Sequence, residues 1–276
     1  MKIASNGIRI HVEDNGAGDL PIVFLHYWGG SSRTWRHITS ELKQSHRTIA
    51  TDHRGWGQSD APASGYNLTD LAADAQGVID ALGLQRYVLV GHSMGGKVAQ
   101  LLASRRPSGL AGLVLVAPSP PSPMQLPLEA RQGMVAAYAS RASIITTVTE
   151  VLTAKALSAD DLETVVQDTL RGATSAKTAW PLVMSQEDIT AHVGAIDVPT
   201  IVIGGELDRV DSIATLQAEV LPRIPHAVLH HLQGTGHLSM LESPNTLAQI
   251  ILDFAGSLRF RSSAATAAQA TLSKLQ

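Results

Sequence analysis

Seven short apolar runs punctuate the chain, and most are separated by segments with helical spacing. The runs are 7–13 (GIRIHVE), 21–27 (PIVFLHY), 46–52 (HRTIATD), 87–92 (YVLVGH), 110–118 (LAGLVLVAP), 199–205 (PTIVIGG) and 227–232 (AVLHHL). Several are apolar and β-branched at nearly every position, not at every second one. Such runs mark strands covered on both faces, as happens where helices flank a parallel sheet. The segments between them carry helix signals: 67–83 opens on an Asn/Thr cap and stops at Gly83, and 94–107 ends on two arginines and Pro107. Segments 31–43, 211–222 and 243–257 have the same character. The alternation predicts an α/β fold with a doubly wound, mostly parallel sheet. The first run differs, because IRIHVED alternates and adjoins the turn-forming NGAGDLP. It is predicted to belong to an antiparallel hairpin at the sheet edge.

The alternation breaks between Pro118 and Pro199, where a proline-rich exit leads into a long stretch of helical pattern without a clear strand. This predicts a helical cap at 121–190, inserted into a core formed by 1–120 and 191–260. An Ala/Ser/Thr-rich C-terminal tail follows at 261–276, to which no chemistry is assigned. A chain of 276 residues, 44% of them hydrophobic, is long enough for one large domain with such an insertion.

Several function classes are excluded by composition. Charged residues make up 16% of the chain, below the usual value of about 25%, and the net charge is −3 with no basic run. There is no electrostatic footprint for nucleic acid. The absence of cysteine removes disulfides, thiolate metal sites and cysteine nucleophiles. No apolar run matches a signal peptide or a membrane span, so the expectation is a cytoplasmic protein without membrane association.

Residues 89–96, LVGHSMGG, place Ser93 between Gly91 and Gly95 where a strand should become a helix. G-x-S-x-G in that context is a nucleophile elbow, which holds the hydroxyl above the strand's carboxyl end and aims a helix N-terminus at it. A serine hydroxyl needs a base, and the base needs an orienting acid. Of eleven histidines, His237 stands out in the Gly-flanked loop of LQGTGHLSMLESP (232–244). His11, His37, His46, His53, His192, His226, His230 and His231 read as surface or satisfied core residues. His226 and His230 lie four apart but have no evident third ligand, so no metal site is expected. For the acid, TIVIGGELDRVD (200–211) offers Glu206, Asp208 and Asp211. Asp208 is preferred, Glu206 is its rival, and Asp211 is expected to cap the next helix. The oxyanion donors are expected to be the backbone amides of Met94 and Trp28, with His26 bracing the loop of HYWGGSS (26–32).

LHYWGG, DHRGWGQSD, GHSMGG, GGELD and GTGHLSMLESP occur in this order, and together they resemble the α/β-hydrolase superfamily over nearly the whole chain. The order Ser93, Asp208, His237 is also that family's order. One departure is visible: the family commonly shows His-Gly where this chain has His26-Tyr27. Tyr27 is therefore expected to place its ring or hydroxyl at the pocket edge. In the cap, apolar residues including Met124, Met134 and Tyr138 are candidates to line an acyl pocket. Tyr27 and Tyr138 are the substrate-binding candidates, and Trp56 is read as packing.

The resemblance implies acyl transfer to water without a metal or organic cofactor, acting on a small-molecule ester or lactone. A homo-oligomer is compatible with it. Ser93 excludes the aspartate-nucleophile relatives. His92 stands where C–C bond hydrolases often carry Asn, which disfavours them. The elbow also looks like that of cofactor-free haloperoxidases and perhydrolases. A non-catalytic small-molecule receptor is the alternative of a different class, disfavoured by the intact set of catalytic side chains.

Overall fold

The structure, a computed structural model, describes the backbone of residues 1–272 and the side chains of residues 1–258. Residues 273–276 of the expected tail lie outside the described residues. Eight strands form one sheet in the order β1-β2-β4-β3-β5-β6-β7-β8. They are β1 (Lys2–Ser5), β2 (Ile8–Asn15), β3 (Ile22–Leu25), β4 (Thr48–Thr51), β5 (Tyr87–His92), β6 (Leu110–Val116), β7 (Thr200–Gly205) and β8 (Val228–Leu232). β1 pairs antiparallel with β2, and β2 antiparallel with β4. Every other pairing is parallel.

β3, β4, β5 and β7 are buried at every position, which explains why their sequences show no alternation. β8, at the edge, is only partly covered and keeps histidines in its middle. The helices that cover the sheet are α1 (Arg36–Leu42), α2 (Leu68–Ala81) and α3 (Met94–Ser104) on the N-terminal side of the chain. The predicted Asn cap of α2 is present: the Asp70 amide donates to Asn67 Oδ1 at 2.8 Å.

Between β6 and β7 the chain forms α4 (Leu128–Ala137), α5 (Arg141–Thr147), α6 (Ala159–Arg171), α7 (Thr174–Leu182) and α8 (Thr190–Val193). No strand interrupts this helical segment among the described residues. It is tied to the sheet side by specific polar contacts. Ser31 Oγ donates to Asp168 Oδ2 at 2.7 Å, and Thr169 Oγ1 donates to the Gly29 carbonyl at 3.0 Å. The Ala173 amide donates to the Gly55 carbonyl at 2.8 Å. Trp56 is buried beneath the turn at Gly172.

After β7 come α9 (Ile213–Thr215), then α10 (Ser239–Glu242) and α11 (Pro244–Leu272) beyond β8. One local expectation is corrected here. Ser212, not Asp211, caps α9, with its Oγ accepting from the Thr215 amide at 3.2 Å. Ser212 has the extended backbone of a cap, and Asp211 is buried on the inner side of the loop. Among the described residues no helix is long and apolar enough to cross a membrane.

The strand order reverses direction between β3 and β5: β4 lies beyond β3 on one side, and β6, β7 and β8 lie beyond β5 on the other. In open α/β sheets a crevice forms outside the carboxyl ends of the strands at such a switch point. The loops leaving β3 and β5 carry Tyr27-Trp28 and Ser93, so the topology alone brings these residues to one place.

Candidate active site

The turn from β5 into α3 is too tight for ordinary residues. A Cβ on Gly91 would strike the Gly95 carbonyl oxygen, and one on Gly95 would meet the Leu25 and His26 carbonyls of the neighbouring loop. Ser93 itself has φ 52° and ψ −117°, a positive φ that a non-glycine side chain rarely adopts. Its backbone is anchored on both sides of the turn. The Ser93 amide donates to the Val116 carbonyl, and the Ser93 carbonyl accepts from the Lys97 and Ser119 amides, each at 3.1 Å. The Met94 amide begins α3 and so belongs to the first turn, whose N–H groups lack partners within the helix.

Asp208 and His237 meet at the ends of β7 and β8. His237 Nδ1 lies 2.8 Å from Asp208 Oδ2, and both side chains are buried. The other carboxylate oxygen, Oδ1, accepts from the Val210 amide at 2.7 Å and the Asp211 amide at 3.0 Å. Asp208 thus holds its own loop with one oxygen and the imidazole with the other. Burial alone would lower the His237 pKa, but the Asp208 charge and hydrogen bond override it and leave the pKa above 6.5. Asp208 shifts oppositely: burial raises it, and His237 with the two amides brings it below its ordinary value. Glu206, the rival acid, instead accepts from the Gly234 amide at 2.8 Å on an exposed part of the loop.

The loop after β3 is held by paired histidines. His26 Nδ1 donates to the Tyr27 carbonyl at 2.6 Å, and its Nε2 accepts from the His53 amide at 2.9 Å. Burial pushes the His26 pKa down to about 4, so the ring is neutral and acts as a brace. The Trp28 ring stacks on Tyr138, with centroids 3.8 Å apart, and its Nε1 donates to the Lys177 carbonyl at 3.1 Å. Tyr138 Oη donates to the Trp28 carbonyl at 3.1 Å. The helical segment therefore grips the Trp28 residue by ring and backbone.

Ser93 and His237 open into one cavity of ≈ 940 Å³. Tyr27, Trp28 and Tyr138 line it, with Met124, Met134, Leu152 and Trp180 from the helical segment. Polar lining includes Ser119, Ser122, Arg209, Asp211, Glu219 and Arg223. The volume sits at the upper end of the ordinary range for small-molecule sites, about 300–1,000 Å³. Among the described residues no group of three or more metal-ligating side chains is placed to hold a metal ion.

Two residues at the site were given no structural role from sequence. His92, beside the serine, is fully buried and its Nε2 donates to the His237 carbonyl at 2.9 Å. Its ring lies 4.8 Å from the His237 ring, so it holds His237 through backbone and packing. Its position inside the elbow was the only signal available. Asp168 lies on α6, far along the chain, and it fixes Ser31 within the loop after β3. Nothing local in sequence announces that contact.

Comparison with known proteins gives a consistent picture. The model of the alpha/beta hydrolase fold family matches residues 21–189. A non-heme chloroperoxidase of Streptomyces lividans is 31% identical over 91% of this chain and 97% of its own length. Among solved structures, an esterase from Exiguobacterium antarcticum superposes with a TM-score of 0.85 at 24% identity, covering 92% of this chain and 98% of that one. A thermophilic esterase from Thermogutta terrifontis gives a TM-score of 0.81 at 25% identity, covering 94% and 98%.

Proposed function

The chain belongs to the α/β-hydrolase fold family, and from that footing we propose that it is a serine hydrolase cleaving carboxylic esters or lactones. The observation that carries this reading is the buried Asp208–His237 pair, 2.8 Å apart, at the wall of the cavity into which the strained Ser93 elbow opens. Ser93 Oγ attacks the carbonyl carbon while His237 Nε2 takes its proton. Asp208 holds Nδ1–H and so keeps Nε2 free to accept it. The developing oxyanion is met by the Met94 and Trp28 amides. His237 then protonates the leaving alkoxide, giving an acyl-enzyme and free alcohol. Water, deprotonated by His237, attacks the acyl carbon, and collapse returns Ser93 and releases the acid. Neither metal nor organic cofactor takes part in this scheme. Tyr27 and Tyr138 contact the substrate from the core side and the cap side of the cavity, and the protein acts in the cytoplasm.

The Streptomyces relative favours one further reading. Hydrogen peroxide in place of water would take the acyl group as a peracid, which then oxidises halide. A halogenation assay with acetate, bromide and peroxide separates the two by its dependence on peroxide.

Titration with a fluorophosphonate tests the main reading. Stoichiometric loss of esterase activity with one adduct on Ser93 is expected. Folded protein that takes up no label would refute it and favour a binding protein.

A further inference from the structure

Asp211 is a carboxyl group that the hydrolytic scheme leaves unused. It lies in the loop leaving β7, is 5% exposed, and lines the same cavity as Ser93 and His237. Its backbone amide is fixed by Asp208 Oδ1, so the loop is rigid where the side chain emerges. Among the described residues no group hydrogen-bonds its carboxyl. A buried acid with no partner is costly unless it meets something in the cavity.

The charged groups around it do not neutralise it. Asp208 and His237 are paired with each other. Lys97, on α3, donates to the Ser122 carbonyl at 2.9 Å. Across the cavity wall, Arg223 pairs with Glu219 at 3.3 Å, and Arg209 donates to the Glu150 carbonyl. Burial raises the Asp211 pKa to about 8, with His237 and Lys97 opposing the rise and Asp208 adding to it. At neutral pH the group is a carboxylic acid, and so a donor facing an otherwise largely apolar space.

Resting on the hydrolase reading above, we propose that Asp211 contacts the substrate as a hydrogen-bond donor and sets specificity. The preferred ester or lactone carries an uncharged oxygen acceptor (ether, hydroxyl or carbonyl) near the scissile group. A plain alkyl chain packed there displaces water from the acid and leaves it unpaired. That loss corresponds to roughly 10- to 100-fold in kcat/KM.

The test uses isosteric pairs in which one methylene becomes an ether oxygen. On the acyl side these are p-nitrophenyl pentanoate and p-nitrophenyl 3-methoxypropanoate; on the alcohol side, alkyl and alkoxyalkyl acetates. Rates are normalised to hydroxide-catalysed hydrolysis and to Ser93 titrated by phosphonate, so that only folded enzyme is counted. The wild type should favour the ether ester of at least one pair by about 10-fold or more. Asp211→Leu should abolish or reverse that preference. Asp211→Asn, which keeps a neutral donor, should retain it. With the ether ester, wild-type kcat/KM should also fall above pH of about 8, where Asp211 ionises, and Asp211→Asn should lack that fall. Should Asp211→Leu not fold, the Asn profile still decides the matter. Ester turnover without any ether preference, a preference unchanged in Asp211→Leu, or an alkaline fall that persists in Asp211→Asn would overturn this inference alone. A persisting fall would point to Lys97, whose pKa burial lowers to about 8. Absence of all ester turnover in protein that still folds would instead remove the hydrolase reading, and this inference with it.

Discussion

Replacing Asp208 by Asn removes one charge and almost no volume, and the structure says how the new side chain must sit. Oδ1 of Asp208 accepts two backbone amides, from Val210 at 2.7 Å and Asp211 at 3.0 Å. An asparagine keeps its carbonyl oxygen there, because turning the amide over would set NH₂ against two N–H groups. Its NH₂ is therefore forced toward His237 Nδ1, where the aspartate had an acceptor. The imidazole must then accept at Nδ1 and carry its proton on Nε2, the tautomer that cannot take a proton from Ser93. On the proposed mechanism the expected loss in kcat is roughly 10⁴-fold, as for the equivalent change in known serine triads. Four decades at 1.36 kcal/mol each correspond to about 5.4 kcal/mol of barrier.

The pH profile supplies a second readout. In the proposed mechanism His237 acts unprotonated, and the Asp208 charge raises its pKa above 6.5. Wild-type kcat/KM should thus climb with a midpoint above 6.5, and the midpoint should move down in Asp208→Asn. Stopped-flow or plate assays of a p-nitrophenyl ester from pH 5 to 9 measure both. Glu206→Gln serves as the control, since the Glu206 carboxylate holds the exposed Gly234 amide, and its activity should stay near wild type. An Asp208→Asn enzyme within about tenfold of wild type, with an unmoved acid limb, would refute the argument.

The elbow and the helical segment give further expectations. Gly91→Ala drives a methyl into the Gly95 carbonyl and Ala99, and should cost about 1–3 kcal/mol in urea melts. A variant as stable as wild type would show that the turn relaxes freely. Asp168→Ala removes the acceptor for Ser31 Oγ and Arg33 and should cost about 1–3 kcal/mol, with reduced ester turnover as the loop after β3 loosens. Unchanged melting and unchanged kcat would show that the contact between α6 and this loop is incidental.

The sheet was legible because its chemistry is local: strands buried on both faces must be apolar at successive positions, as residues 88–90 and 201–203 are. The antiparallel edge was readable from the alternation of IRIHVED, but its turn is Asn6-Gly7 between β1 and β2, and the NGAGDLP cluster instead joins β2 to β3. The break in alternation after Pro118 likewise foretold helices where α4–α8 stand. What escaped depended on direction in space. Asp211 and Ser212 are both good caps, and the choice turned on which side chain the loop points inward. His92 supports the His237 carbonyl across 145 positions of sequence, a contact made only once β5 and the loop after β8 converge. The grip of Tyr138 and Lys177 on Trp28 belongs to the same class, because it exists only after the helical segment folds back over β3.

The proposal that Ser93 carries the acyl group is tested most directly by acid-quenching the enzyme during turnover of a p-nitrophenyl ester and weighing the intact protein and its peptides. The account predicts one acyl mass on the peptide containing Ser93, absent from Ser93→Ala, whose turnover should fall roughly 10⁴- to 10⁶-fold. Continued turnover in that variant, or an acyl mass on another residue, would contradict it.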